Sequence, residues 1–172
     1  MATTTHAPTL DEFLALPEQK PALEYGWGGE ISQKPMPTTD HSIVQLNIIE
    51  LLNDAGIGRA YPELRIVLGG LARVPDVAFY VTDRQPRVQV PTTPPDVAVE
   101  VLSPDQQAGD LAMKCRWYVE QGVAVALLAD PAERTLTAFT AGSQSTVRGA
   151  QPLSVLGIML TADKAFRDML SA

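Results

Sequence analysis

The fold is decided by the sequence VPDVAFY (residues 74–80), PPDVAVEVLSP (residues 94–104) and DLAMK (residues 110–114). Asp76 stands at the start of the first apolar run, and Glu100 lies inside the second. Apolar runs rich in Val and Ala that follow proline are typical of buried β-strands. Burying a carboxylate in such a strand is costly unless it is paired or binds a metal. If the two strands are neighbours, about 4.8 Å apart, Asp76 and Glu100 can hold one divalent cation between them.

Length and composition predict one soluble domain over residues 1–172. The chain is 45% hydrophobic and 19% charged, which is ordinary for a globular protein long enough to bury a sizeable core. Its formal net charge of −7 provides no general basic field, so nucleic acid binding would need a local basic patch. Cys115 is the single cysteine, so no disulfide can form within the chain, and this fits a reducing cytoplasm.

The sequence shows no targeting or membrane-spanning segment. Residues 1–10, MATTTHAPTL, have neither a basic region nor an apolar core. No stretch approaches the ~20 apolar residues of a membrane span. We therefore expect a cytoplasmic protein that does not cross a membrane.

Residue patterns in the N-terminal half predict two helices and a hairpin. The pattern T-x-x-E from Thr9 is a capping box before a short helix. Residues 23–32 predict two short strands around a glycine turn. Thr39 or Asp40 is expected to cap an amphipathic helix near residues 40–55.

The rest of the chain predicts a mixed sheet. Residues 97–129 read as strand, helix and strand, the signature of a right-handed parallel crossover, with Asp110 as the helix cap. Polar alternation in residues 135–140 is typical of an edge strand, and Thr161 is expected to cap a last helix that reaches Leu170. A meander is expected from three strands: residues 59–61, 64–68 and 76–81. The predicted fold is α/β, a central mixed β-sheet flanked by helices, with three central strands: residues 76–81, 97–102 and 123–129.

Three residues of the opening stretch supply the groups that phosphodiester hydrolysis needs. Asp76 and Glu100 can hold a metal ion that polarises the phosphate and activates water, and Lys114 can stabilise developing charge. Two carboxylates at one point repel each other, so replacing either with alanine would relieve that repulsion. Structural alternatives exist: Glu100 can pair with Arg65 or Arg73, and a lone lysine on a helix is most often solvated.

The motif order PD, ExLSP, DxxxK, YxxxG and LxxDP resembles the Uma-type restriction endonuclease family of the PD-(D/E)xK nuclease superfamily, over most of the chain. The segment LEYGWGGEI is similar to that family's acidic hairpin, which adds Glu24 to the candidates. His41 stands where the family has a histidine before a helix. The resemblance implies a restriction-endonuclease-like fold, a bound Mg²⁺ or Mn²⁺ and DNA as the substrate.

The resemblance also implies a role for each candidate. The implied metal ligands are Asp76 and Glu100, the assisting cation is Lys114, and the further candidates are Glu24 and His41. One position departs from the superfamily pattern, whose lysine lies two residues after the glutamate, because this chain has Leu102 there. The Uma-type pattern supplies the lysine from the following helix instead, as Lys114.

Three functions are compatible with these residues: a metal-dependent DNA endonuclease, an inactive nuclease fold that serves as a DNA-binding or assembly module, and a hydrolase of small phosphoesters. The acidic pair with its lysine favours the first over the second, and the acidic net charge favours the third over the first. A wide groove rimmed by arginines would support DNA, and a closed pocket would support a small substrate. Because cutting both strands of a duplex usually takes two active sites, we expect a symmetric homodimer.

Overall fold

The structure is a computed structural model that describes residues 7–171. The prediction about the N-terminal segment therefore lies largely outside the described residues. The strands are β1 (Leu23–Tyr25), β2 (Ile31–Gln33), β3 (Gly58–Pro62), β4 (Ile66–Leu68), β5 (Leu71–Arg73), β6 (Val77–Val81), β7 (Val97–Val101), β8 (Val125–Asp130), β9 (Thr135–Thr140), β10 (Ser143–Arg148), β11 (Pro152–Val155) and β12 (Ile158–Thr161). The helices are α1 (Leu10–Leu14), α2 (Thr39–Asn53), α3 (Ala108–Glu120) and α4 (Ala162–Ala165).

A six-stranded mixed sheet in the order β10-β9-β8-β7-β6-β3 forms the centre of the protein. Strands β6 and β7 run antiparallel with Val77 opposite Val99, and β7 and β8 run parallel. Helix α3 connects the two parallel strands, as a parallel crossover requires. The predicted α/β fold, its three central strands and its flanking helices are confirmed.

The two faces of the central sheet carry different side chains because successive residues of a strand point to opposite sides. Val97 and Val99 pack in one apolar cluster with Ile48 of α2. Ala98 packs in a second cluster with Leu111 of α3. Each fully buried aliphatic side chain contributes roughly 1.5–3 kcal/mol, which fixes the register of the sheet between its helices.

A second sheet in the order β2-β1-β5-β4 carries the N-terminal hairpin. Strands β1 and β2 pair antiparallel around a 3-10 turn at Trp27–Gly29, which confirms the predicted hairpin. Tyr25 of β1 pairs with Ala72 of β5, and β5 leads directly into the loop before β6. The hairpin is thereby tied to the segment that carries Asp76.

Two predicted strand arrangements are wrong. Strand β3 pairs with β6, whereas β4 pairs with β5 in the second sheet, so residues 59–81 form no meander. The reason is the turn at Gly69 and Gly70, whose positive φ angles close a tight hairpin that β5 extends toward β1. Strand β9 is not an edge, since the polar segment 143–148 pairs with it and Thr137 Oγ1 lies 2.9 Å from Thr146 Oγ1.

The predicted helix starts are partly correct. The capping box at Thr9 and the cap at Thr161 are confirmed. Helix α2 is capped by Thr38, one residue before the predicted caps, and α3 begins after Gln107, so Asp110 lies in its first turn. The last helix ends well before Leu170, because α4 has only four residues.

Among the described residues, no helix combines the length and the apolar composition that crossing a bilayer requires.

Candidate active site

A cavity of about 640 Å³ lies where the hairpin, α2 and the ends of β3 and β7 meet. Both carboxylates predicted from the sequence line it. The charged and histidine side chains that matter for its chemistry are Lys34, His41, Glu63, Arg65, Asp76 and Glu100.

Asp76 is buried, and each of its oxygens accepts a polar contact. Oδ1 accepts from Lys34 Nζ at 2.5 Å, and Oδ2 accepts from the Val101 N–H at 2.6 Å and lies 3.3 Å from His41 Nε2. The contact with Val101 follows from the pairing of β6 with β7. Burial raises the pKa of Asp76, but the hydrogen bond from His41 and the charge of Lys34 outweigh it and hold the pKa well below its usual range. The carboxylate is therefore ionised at neutral pH.

Glu100 lies on the α3 face of β7 and is 2% exposed. Its Oε1 accepts from the Tyr118 hydroxyl at 2.9 Å and lies 3.0 Å from Lys114 Nζ. Burial raises the pKa of Glu100, and the charges of Lys114 and Lys34 oppose that rise without cancelling it. The alternative pairing with an arginine is wrong, because the cation beside Glu100 is Lys114.

Lys114 also binds Glu24, so the hairpin and α3 meet at one ion pair. Lys114 Nζ donates to Glu24 Oε1 at 2.8 Å, and the Val74 N–H donates to the same oxygen at 2.8 Å. Burial raises the pKa of Glu24, but the charge of Lys114 and its hydrogen bond lower that pKa by more, so the net shift is downward. The structure thus brings Glu24 into the cluster and leaves the Lys114 side chain only 19% exposed, whereas a solvated helix lysine would project into water.

His41 joins the cluster from the first turn of α2. Its Nε2 contacts Asp76, and its Nδ1 is buried without a hydrogen-bond partner among the described residues. Buried polar atoms are nearly always paired, so an unpaired one at a cavity points to a missing water or ligand. Ser103 Oγ, which lines the same cavity, is unpaired in the same way.

Lys34 is the site residue that the sequence patterns miss. It follows β2, and its ammonium contacts Asp76, the Val74 carbonyl oxygen at 2.8 Å and Glu63 Oε2 at 3.5 Å. Lys34 lies in the polar segment Gln33–Pro37, which has no periodicity that would mark a buried side chain. Only the pairing of β1 with β5 brings this segment to the cavity.

Restriction-endonuclease-like nucleases generally use a divalent cation, and Asp76 and Glu100 are the expected ligands for it here. Within residues 7–171, no group of three or more His, Cys, Asp or Glu side chains is arranged to hold a metal. Mg²⁺ nevertheless binds through one or two carboxylates and keeps several waters, which two oxygen donors at one cavity allow. The ammonium of Lys34 against Asp76 shows that this point accommodates a cation. The donor set therefore fits one hard divalent ion.

Few basic side chains surround the cavity. Within the described part of the chain, Lys20, Lys34 and Arg65 line it together with His41. Two arginines that do not line it have partners elsewhere: Arg84 donates to Asp96, and Arg116 donates to Gln144. Any DNA contact at this cavity would therefore rest on a small basic patch.

The depressed pKa of Asp76 predicts a specific loss of stability in acid. Protonation is favoured in the unfolded chain, whose aspartate pKa is about 3.9, so this contribution is complete above that value and falls as pH drops toward the folded pKa. We expect the free energy of unfolding to fall more steeply between pH 5 and pH 3 in the wild type than in Asp76→Asn. Urea unfolding across that range measures the two slopes, and equal slopes would contradict the assigned contacts.

Comparison with known proteins adds a family and a fold. A family model described as "Uma2: Putative restriction endonuclease" matches residues 10–168. The crystal structure of a "putative nuclease belonging to DUF820" from Anabaena variabilis ATCC 29413 is similar at 30% identity, covering 92% of this chain and 97% of that chain, with a TM-score of 0.85. No curated protein matches this chain. The family match and the structural neighbour support a nuclease.

Proposed function

This chain belongs to the Uma2 restriction endonuclease family, and from that premise we propose that it is a metal-dependent endonuclease that hydrolyses DNA phosphodiester bonds. The observation that carries the proposal is that Asp76 and Glu100 line one cavity, and that each has a lysine in contact. Burying charged groups costs desolvation free energy even when they are paired, and clusters of buried acidic and basic groups at a cavity are typical of functional sites.

Asp76 and Glu100 would hold Mg²⁺ or Mn²⁺. The bound ion would supply Lewis-acid polarisation of the phosphate and a lowered pKa for the attacking water. The Val101 N–H orients the Asp76 carboxylate, and Tyr118 orients Glu100. These contacts fix both carboxylates before substrate arrives, which reduces the reorganisation that the reaction would otherwise require.

Lys114 is proposed as the assisting cation, with Glu24 and His41 as further members of the site. Lys114 contacts Glu100 directly and is held in place by Glu24. Its ammonium would set the position of Glu100 and lower the free energy of negative charge developing near that carboxylate. His41 would keep Asp76 oriented through its Nε2 contact.

A hydrolase of small phosphoesters is the second candidate. The cavity volume of about 640 Å³ falls within the roughly 300–1,000 Å³ of small-molecule pockets. The net charge of −7 would also repel a polyanion outside the immediate site. A third candidate, an inactive DNA-binding or assembly module, has the same fold but does not explain why Asp76 and Glu100 are buried together at a cavity.

Two further predictions belong to this proposal. We propose that residues 1–172 act as one nuclease-like domain and that two copies associate symmetrically, so that two sites face the two strands of a duplex. Sedimentation equilibrium at micromolar concentration, with and without DNA, measures the association. A monomer under both conditions would contradict the predicted dimer.

Cleavage assays decide among these functions. Purified protein is incubated with supercoiled plasmid, single-stranded DNA or bis(p-nitrophenyl) phosphate, with Mg²⁺, Mn²⁺ or EDTA. The proposed endonuclease nicks or cuts DNA with metal and not with EDTA, and Asp76→Asn serves as the control for contaminating nucleases. Hydrolysis of the small ester without DNA cleavage would favour the second candidate, and DNA binding without any cleavage would favour the third.

A further inference from the structure

The ammonium of Lys34 is surrounded by oxygen atoms of three residues. Nζ donates to the Val74 carbonyl oxygen at 2.8 Å and to Asp76 Oδ1 at 2.5 Å, and it lies 3.5 Å from Glu63 Oε2. A backbone carbonyl and carboxylates are also the ligand types that hard divalent cations prefer. Lys34 therefore occupies a position whose chemistry suits a metal ion.

The Lys34 side chain is largely shielded from solvent at this position, with 11% of its surface exposed. Burial alone would lower the pKa of Lys34, but the charges of Glu100, Asp76 and Glu63 raise it well above its usual value. The lysine is thus fully charged and partly neutralises the acidic residues while no other cation is present. Loss of that charge would leave buried carboxylates repelling one another.

Asp76 cannot bind a divalent ion in the usual way while Lys34 remains in contact. Oδ1 accepts from Lys34, and Oδ2 accepts from the Val101 N–H. An ion at the ~2.1 Å ligand distance of Mg²⁺ would lie close to the ammonium, and two cations at that separation repel strongly. Glu63 offers the lysine another partner, since its side chain is 45% exposed and already forms an ion pair with Nζ.

We propose that Lys34 is a built-in competitor of the divalent cation: its ammonium binds Asp76 in the metal-free protein, and metal binding displaces it toward Glu63. This inference rests on the metal site of the proposed function. The apparent metal affinity would then be the intrinsic affinity of the carboxylates reduced by the fraction of molecules in which Lys34 has left. No motif of the sequence marks Lys34 for this role, because it lies outside the acidic strands and α3.

Calorimetry with MnCl₂, without DNA, tests the competition. Lys34→Gln keeps a hydrogen-bond donor but removes the charge, and we expect it to bind Mn²⁺ at least about tenfold more tightly than the wild type. The matched control is Lys20→Gln, which also removes one positive charge from the cavity lining but has no carboxylate partner within residues 7–171. Its Mn²⁺ affinity is expected to change by less than about threefold, since exposed charges are screened.

A second measurement needs no substitution. Amine acetylation followed by mass spectrometry reports how often each lysine is free, and we expect Mn²⁺ to accelerate labelling of Lys34 in the wild type. Lys20 provides the internal control, because its labelling rate should not depend on Mn²⁺. This measurement stands even if Lys34→Gln does not fold.

The outcomes separate this inference from the proposed function. Suppose that the wild type binds Mn²⁺. If Lys34→Gln then binds Mn²⁺ no more tightly, or if Mn²⁺ does not accelerate labelling of Lys34, the competition is overturned while the metal site stands. Binding by neither protein would overturn both. If Lys34→Gln binds Mn²⁺ more tightly but the wild type cleaves no DNA with either metal, the competition is supported and the proposed endonuclease is overturned.

Discussion

Asp76→Asn is expected to reduce metal-dependent DNA cleavage by at least about 10³-fold, since a metal ion supplies several kcal/mol of transition-state stabilisation. Mn²⁺ affinity is expected to fall with it, because the amide offers a neutral oxygen in place of a charged ligand. The variant should also be less stable than the wild type. Lys34 would lose its shortest contact, and the neutral amide would be a weaker acceptor for the Val101 N–H.

This expectation corrects the idea that removing Asp76 relieves repulsion between carboxylates. In the structure the nearest charged group to Asp76 is the ammonium of Lys34, so attraction dominates and the carboxylate stabilises the fold. Asp96→Asn is the matched control, because Asp96 is also buried and also accepts from a backbone N–H, that of Val81. Asp96 is not among the described residues that line the cavity. Equal losses of cleavage in the two variants would contradict the assignment of Asp76.

Lys114→Met is expected to lower single-turnover cleavage by about 100-fold or more, the effect typical of losing one electrostatic stabiliser. It should also lower the free energy of unfolding by about 3–5 kcal/mol, because it leaves Glu24 and Glu100 buried without their shared cation. Binding of Mn²⁺ should persist or become slightly tighter, since Lys114 donates no metal ligand and its positive charge beside Glu100 is removed. Urea unfolding, calorimetry and quenched-flow cleavage measure the three quantities.

Lys164→Met provides the control for this substitution, because Lys164 is an exposed residue of α4 with no ion pair among the described residues. We expect it to change neither stability nor cleavage beyond about 0.5 kcal/mol. Cleavage by Lys114→Met at the wild-type rate, in protein shown to be folded, would return Lys114 to a purely structural role.

The carboxylates of the site could be predicted because each lies in or beside a strongly apolar run. Burial of Glu100 follows from its valine neighbours alone, and the pairing of β6 with β7 makes Asp76 its neighbour across the sheet. The position of Lys114 on the helix after β7 predicts that it lies near the carboxylates, and the structure shows its contact with Glu100. The catalytic roles of these residues stay predictions until the variants are measured.

The remaining parts depend on long-range pairing, which sequence patterns do not encode. Lys34 reaches the cavity only because β1 pairs with β5, a contact between segments far apart in the chain. The polar segment 143–148 has no apolar alternation that would predict a strand, yet it adds β10 to the sheet because β9 offers it an unpaired edge and a threonine that hydrogen-bonds across the pair. Helices α2 and α3 start one to three residues before the predicted caps: the Thr38 side chain caps α2, and α3 begins after Gln107 without any side-chain cap.

The sequence separation between the partners of each ion pair predicts the order in which parts of the molecule fold. Strand β7, helix α3 and strand β8 are contiguous in the chain, whereas the Lys114–Glu24 contact spans 90 residues and the Lys34–Asp76 contact spans 42. Closing long loops is slow, so we expect the hairpin to dock after β7, α3 and β8 have come together. Pulse-labelled amide exchange would show this as protection of β7 and β8 before β1. Until the hairpin docks, Glu100 would have Lys114 but Asp76 would lack Lys34, so a partly folded chain would present an acidic site open to any cation of the surrounding solution.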